Sequence, residues 1–194
     1  MGAADQLSLF AGRPDRPAGL EYWPDFISAD EERKLIDAIR TLPLQPFQFG
    51  AYEGKRQVAS FGYHYDYSTK RLEEAQPIPA WLQAPATRIE RFRGLPPDAI
   101  GHVLCTEYDV GVGIGWHRDK AHFDQVFGLS LGSSCHFRFR RKSADRWQRY
   151  TLDAQPRSLY LMTGEARHVW EHSIPGVEQP RYSITFRTMA DRGR

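Results

Sequence analysis

The chain has 194 residues and a mass of 22.3 kDa, with 41% hydrophobic and 13% aromatic residues, which suits one globular domain and excludes a disordered chain. Lys and Arg total 26 against 24 Asp and Glu, so a formal net charge of +2 sets up no global field that calls for nucleic acid or a membrane. No apolar run reaches the length of a membrane span, the N-terminus lacks a basic-then-apolar signal pattern, and Cys105 and Cys135 lack metal-ligand spacing; the expectation is a soluble cytoplasmic protein with two free thiols and no membrane partner.

Residues 1–19 are rich in Gly, Pro, Ala and Asp and read as a flexible tail ahead of a domain at 20–194. Inside the tail, Gln6-Leu7-Ser8-Leu9-Phe10 is an apolar cluster that either packs back on the domain or serves as a docking peptide. It resembles the short peptide with which bacterial replication and repair proteins bind the sliding clamp. Ser28-Ala29-Asp30-Glu31 is a capping box, and the helix it opens carries Leu35, Ile36 and Ile39 on one face and stops before Pro43. A second helical stretch starts at Pro79, carries Trp81, Leu82, Ile89 and Phe92, and is interrupted at Pro85. From about residue 100 short strands follow at 102–108, 113–119, 126–131, 135–140, 148–152, 158–162, 167–172 and 181–187. Many short strands at this spacing predict a mainly β sandwich or barrel with flanking helices. Arg138, Arg140, Arg141, Lys142, Arg146 and Arg149 make a basic segment, and Arg88, Arg91 and Arg93 a smaller one; each is either a solvated face or a phosphate contact.

Three His-x-Asp pairs occur: His64 with Asp66, His117 with Asp119, and His122 with Asp124. Two residues apart on a strand, both side chains face one way. Two histidines and a carboxylate form the facial triad that holds iron(II) with open positions, and His172 is available as the third donor. Gly111, Gly113 and Gly115 ahead of His117 allow a close backbone approach, and Lys120-Ala121 looks like the strand exit, but spacing does not choose between His117-Asp119 and His122-Asp124. Downstream, Arg181, Ser183, Thr185 and Arg187 share one strand face, with Tyr182, Ile184 and Phe186 on the other. A planar guanidinium suits a carboxylate. Six residues of strand span about 20 Å, so both arginines hold one small dicarboxylate only if their arms lean together, and Arg181 is the first choice. A metal triad beside such a strand predicts an oxygenase with a dicarboxylate co-substrate.

These residues resemble the AlkB family of Fe(II)- and 2-oxoglutarate-dependent dioxygenases. The matching stretches run in order: Phe61 to Ser68, Thr106-Glu107-Tyr108, Gly111, Ile114 to Asp119, Ser130-Leu131-Gly132, Arg157 to Tyr160, Gly164 to Arg167, Trp170-Glu171-His172 and Arg181 to Arg187. The resemblance implies a double-stranded β-helix (jelly-roll) core, iron ligands at His117, Asp119 and His172, and 2-oxoglutarate contacts at Arg181, Arg187 and Tyr108. Thr106 and Ser183 stand where the family usually or often has Asn, and would contact the co-substrate with shorter reach. The implied reaction is oxidative dealkylation of N-alkylated bases (1-methyladenine and 3-methylcytosine type, etheno adducts included) in DNA, with RNA as a second substrate. Tyr65 and Tyr67 fall where the family places its substrate lid. Phe49, at the tip of a hairpin ahead of Lys55-Arg56, is either core or a wedge filling the hole a flipped base leaves. The alternatives are an oxygenase of protein side chains or small molecules on the same fold, and a non-catalytic metal-binding interaction module.

Overall fold

Local sequence signals set the helix ends, and the sheets between them frame the site. The computed structural model describes residues 16–49, 52–66, 71–74 and 76–190, so Gln6–Phe10 and Tyr67 lie outside the described residues. In chain order the elements are β1 (Leu20–Trp23), α1 (Ala29–Arg40), β2 (Gln45–Phe49), β3 (Tyr52–Asp66), β4 (Arg71–Glu74), α2 (Ala80–Arg93), β5 (Ile100–Tyr108), β6 (Ile114–His117), β7 (Phe123–Leu131), β8 (Cys135–Ser143), β9 (Arg146–Ala154), β10 (Leu159–Met162), α3 (Gly164–His168), β11 (Glu171–Ile174) and β12 (Arg181–Met189).

The capping box forms as expected: Glu31 N–H donates to Ser28 Oγ at 3.2 Å and Ser28 N–H to Glu31 Oε2 at 2.8 Å. Buried Glu32, one residue on, accepts from Gly132 N–H at 2.9 Å and from Arg157 at 3.2 Å, tying α1 to the β7–β8 turn.

The strands form two antiparallel sheets. The larger runs β1-β10-β7-β12-β5-β3-β2 with β4 added on β3, and the smaller runs β6-β11-β8-β9. Helices α1 and α2 cover one face of the larger sheet, where Ile39, Leu82 and Ile89 are fully buried against Val103, Phe127, Ile184 and Phe186. Each such side chain contributes about 1.5–3 kcal/mol by leaving water. The other face meets the smaller sheet through Val126, Tyr160 and Met162 against Phe137, Phe139 and Ile174. This is the expected double-stranded β-helix with flanking helices. The alternation read along β12 holds: Tyr182, Ile184 and Phe186 enter the helix-side core, while Ser183, Thr185 and Arg187 line a cavity between the sheets.

Other expectations change. The strand expected over 167–172 is the five-residue α3 followed by β11; a single turn is too short to show a 3.6-residue period. Helix α2 is not interrupted at Pro85 and runs on to Gly94, which ends it at φ 64°. Pro85, the sixth residue of α2, gives up the bond to the Trp81 carbonyl and crowds it, and the helix continues through it. Residues 17–19, grouped with the tail by composition, bond to the domain: Thr163 N–H donates to the Gly19 carbonyl at 2.9 Å and Ala166 N–H to the Ala18 carbonyl at 2.9 Å.

One glycine shapes the space between the sheets. Gly128 on β7 pairs with Tyr160 on β10, and a Cβ there would stand 2.0–2.4 Å from the Tyr160 ring. The bare backbone lets that ring lie across β7 and reach the cavity wall.

Candidate active site

His117 on β6 and His172 on β11 are directly opposite in the smaller sheet, and both point inward. Their ring centroids are 4.3 Å apart, and Phe137 backs His172 at 5.3 Å. The approach of β6 depends on Gly113, where a Cβ would come within 2.3 Å of the Ile174 carbonyl. His117 Nδ1 bonds the Gly115 carbonyl at 2.9 Å, which leaves its Nε2 lone pair free to coordinate.

Asp119 reaches the histidines by a different route from the one expected. Strand β6 ends at His117, so Asp119 sits in the following loop and strand alternation does not aim it. Two arginines do. Arg167 on α3, buried, donates to the backbone carbonyls of Asp119 (3.2 Å), Lys120 and Phe123 (2.7 Å), clamping the loop. Arg187 on β12 donates to Asp119 Oδ1 through Nη2 at 2.8 Å and Nε at 3.1 Å. Oδ2 is left facing His172 Nε2 at 3.5 Å.

Burial alone would raise the Asp119 pKa, but the Arg187 guanidinium, with His172, His117 and Arg167 behind it, outweighs burial and holds the carboxyl well below the usual range. Burial, with His117 next, pushes His172 down to about 3, and burial also lowers His117. Near neutral pH the set is one carboxylate and two neutral imidazoles, the donor chemistry of a divalent iron site. Donors about 2.1 Å from one metal stand about 3 Å apart, near the 3.5 Å separating Asp119 from His172. Among the described residues no three His, Cys, Asp or Glu side chains form a ready cage.

The strand carrying Arg187 also carries Arg181, at the other end of the site. The β12–β5 register places Arg181 opposite Tyr108, Ser183 opposite Thr106, and Arg187 opposite His102. Tyr108, Thr106, Ser183 and Arg187 line a cavity of about 50 Å³ together with His117, Asp119 and His172. Arg181 is fully buried behind it, with its guanidinium 5.0 Å from the Tyr108 ring centroid and one donor on Ser130 Oγ at 3.1 Å. Its Nε and Nη1 have no hydrogen-bond partner. The neighbouring Cys135 thiol, pushed up by burial, is uncharged near neutral pH and supplies no counter-charge. The arms of the two arginines therefore do not converge: Arg187 is committed to Asp119 and His102 (3.1 Å), and Arg181 waits at the far end.

His122 lies in the loop between β6 and β7 with its ring 4.2 Å from that of Phe123, and it lines no part of the cavity. Phe49 pairs with Tyr52 across the β2–β3 hairpin, and Tyr65 pairs with Leu72 of β4, both by backbone register. Sequence reasoning misses Arg56 and Tyr160, which line the cavity, and Arg167 and His102, which brace it. Arg167 does fall in the Gly164–Arg167 stretch, but nothing in a lone arginine of a short helix marks a carbonyl clamp.

A family model described as the 2OG-Fe(II) oxygenase superfamily matches residues 19–187. The chain is 30% identical over 181 residues to an Arabidopsis thaliana protein named alkylated DNA repair protein ALKBH8 homolog, covering 81% of this chain and 51% of that one. It is 30% identical over 167 residues to the Mus musculus tRNA (carboxymethyluridine(34)-5-O)-methyltransferase ALKBH8, covering 81% and 24%. The chain thus spans about half the length of one of these relatives and a quarter of the other. The solved structure of OsALKBH1 superposes with a TM-score of 0.66 at 17% identity, covering 89% of this chain and 97% of that one, a likeness of fold.

Proposed function

Because the chain belongs to the 2OG-Fe(II) oxygenase superfamily as an AlkB-like member, with Fe(II) as cofactor and 2-oxoglutarate as co-substrate, we propose that it oxidatively dealkylates N-alkylated bases in DNA, with RNA as a second substrate. In this reading His117, Asp119 and His172 hold the iron, and Arg181 with Tyr108 takes the distal carboxylate of 2-oxoglutarate. Thr106 and Ser183 line its path, and Arg187 acts on it through Asp119. Bound iron supplies the oxidation of the alkyl carbon; the side chains orient the co-substrate and exclude water and other C–H bonds. The reaction consumes 2-oxoglutarate and oxygen, releases succinate and carbon dioxide, and leaves a hydroxylated alkyl group that departs as an aldehyde. Tyr65, Tyr67 and Phe49 are assigned to the substrate side, stacking on the target base or filling its place in the duplex.

The observation that carries the co-substrate half is the buried Arg181 with two unsatisfied donors beside a cavity bearing the three candidate ligands. The nucleic-acid half is supported by the outer face of the smaller sheet. Trp116 lies beneath Arg140 at 4.4 Å and Arg138 at 5.1 Å, and Arg140 also covers Trp147 at 4.6 Å. Strand alternation and register put Lys142 and Arg149 on that face as well, so four cations share it with two carboxylates, Glu171 and Asp153, in a chain of net charge +2. Lys142, Arg149 and Trp147 are exposed and Arg138, Arg140 and Trp116 half-buried, and cations beside indoles suit a phosphate backbone and stacked bases.

The deciding assay incubates the protein with Fe(II), 2-oxoglutarate and an oligonucleotide bearing 1-methyladenine or 3-methylcytosine, and follows succinate and loss of the methyl mass. Succinate formed equally without the oligonucleotide would sink the base-repair reading. Lys142→Glu with Arg149→Glu should weaken oligonucleotide binding and lower the salt-dependence slope by about one unit for each phosphate left without its cation. An unchanged slope removes this face from the interface. We further assign Gln6–Phe10 to docking on the sliding clamp of a cytoplasmic replication machinery. Deleting residues 1–12 should abolish clamp binding with turnover intact, and retained binding discards the peptide.

A further inference from the structure

We propose that His102 is a positioning residue that, through Arg187, keeps one oxygen of Asp119 turned toward the metal position. The proposal rests on the assignment of Asp119 as a ligand and not on the identity of the substrate.

In the larger sheet β3, β5 and β12 are neighbours, and His102 on β5 is in register with Gly62 on one side and Arg187 on the other. A hydrogen-bonded row crosses these three strands. Ser60 Oγ lies 3.1 Å from His102 Nε2, His102 Nδ1 lies 3.1 Å from Arg187 Nη1, and Arg187 Nε and Nη2 reach Asp119 Oδ1. A guanidinium can only donate, so His102 Nδ1 accepts and carries no proton. The remaining ring proton is then on Nε2, pointing at Ser60 Oγ. Phe123 backs both members of the row, 4.8 Å from the His102 ring and 5.0 Å from the Arg187 guanidinium. Gly62, at φ 81°, allows β3 to come close here, because a Cβ would stand 2.2 Å from the Gly101 carbonyl.

The row decides how Arg187 uses its fork. An unconstrained arginine takes a carboxylate with two parallel bonds, one to each oxygen. Here Nη1 is held by His102, and the other two nitrogens both fall on Oδ1. Oδ2 keeps its lone pairs for the space it shares with His172 Nε2, 3.5 Å away. Without His102 the guanidinium can rotate and take both oxygens, which pulls Oδ2 away from the metal position.

Cobalt(II) binding to the purified protein tests this without turnover, read by its visible absorption. His102→Leu should raise the cobalt dissociation constant about 10- to 100-fold, the usual scale for groups that orient a ligand. His102→Asn, whose Oδ1 stands near the place of Nδ1 and can accept from Arg187, should stay within about threefold of the wild type. Ser60→Ala, which frees only the far end of the row, should show a small rise and serves if the leucine variant does not fold. Thermal melting without metal separates a folding defect from a positioning one. A folded leucine variant with wild-type affinity overturns the proposal, as does an asparagine variant that loses as much as leucine. Absence of cobalt binding by the wild type would remove Asp119 as a ligand and the proposal with it. Failure to act on alkylated bases, with the cobalt series as expected, would overturn the substrate reading alone.

Discussion

Asp119→Ala should abolish succinate formation and lower the stability of the metal-free protein. The loss of a charged ligand worth several kcal/mol corresponds to a rate at least about a thousandfold lower. The stability effect has a separate cause. Asp119 is the carboxylate that Arg187 faces at 2.8 Å, with both side chains buried, and removing one partner of a buried pair costs about 3–5 kcal/mol. Asp119→Asn keeps an acceptor for Arg187 and gives up the charge, so it should recover much of the stability and none of the turnover. Denaturant unfolding and succinate release, measured on both variants, separate the two roles. Turnover by a folded alanine variant would show that the iron is held elsewhere.

The same residue shows what is legible in the sequence and what is not. Alternation on a strand predicts one shared face for His117 and Asp119, and both line the cavity between the sheets. The strand stops at His117, however, and the loop beyond is aimed by Arg167 and Arg187, which lie 48 and 68 positions later. Long-range clamps of this kind leave no periodic trace. Signals that act within a few residues are readable: the Ser28–Glu31 capping box and the β12 alternation appear in the structure as expected. Of the strand expected over 167–172 only Glu171 and His172 are extended, at the start of β11, because the one-turn α3 takes up the residues before them. Strands β1 and β4 escape the sequence reading, and of β2 and β3 it gives only the hairpin tip at Phe49; β3 carries Gly54, Gly62 and several charges along its 15 residues, and its partners on the larger sheet supply what its own pattern lacks. The preference for Arg181 over Arg187 as carboxylate ligand rests, in the sequence, on the reach of a strand. The structure adds a reason that spacing could not supply, since Arg187 is already committed to Asp119 and His102.

Arg181→Met should raise the KM for 2-oxoglutarate about a hundredfold or more and leave the ligand-free protein as stable as before, or more so. The two halves follow from one fact. Arg181 has no solvent exposure, a hydrogen bond to Ser130, and the uncharged Cys135 thiol and a tyrosine ring against it. An ion so placed costs several kcal/mol of desolvation that its surroundings do not return, and an apolar side chain of similar volume carries no such cost. A carboxylate arriving at Nε and Nη1 supplies two charge-assisted bonds of about 1.5–3 kcal/mol each, which corresponds to two or more orders of magnitude in affinity. The wild type should therefore melt higher with saturating 2-oxoglutarate, by about 2.7 kcal/mol at a hundred times the dissociation constant, and the methionine variant should not respond. Lysine would not substitute, because a point charge on a flexible stem lacks the planar fork. An unchanged KM would move the distal carboxylate to another cation, Arg56 on the cavity wall being the candidate, since Arg187 is committed to Asp119 and His102. A methionine variant that unfolds easily without ligand would instead make Arg181 a structural residue. An arginine that weakens the empty protein and strengthens the loaded one is held in place by its ligand, which is why an unpaired buried cation points to binding more firmly than a well-satisfied one.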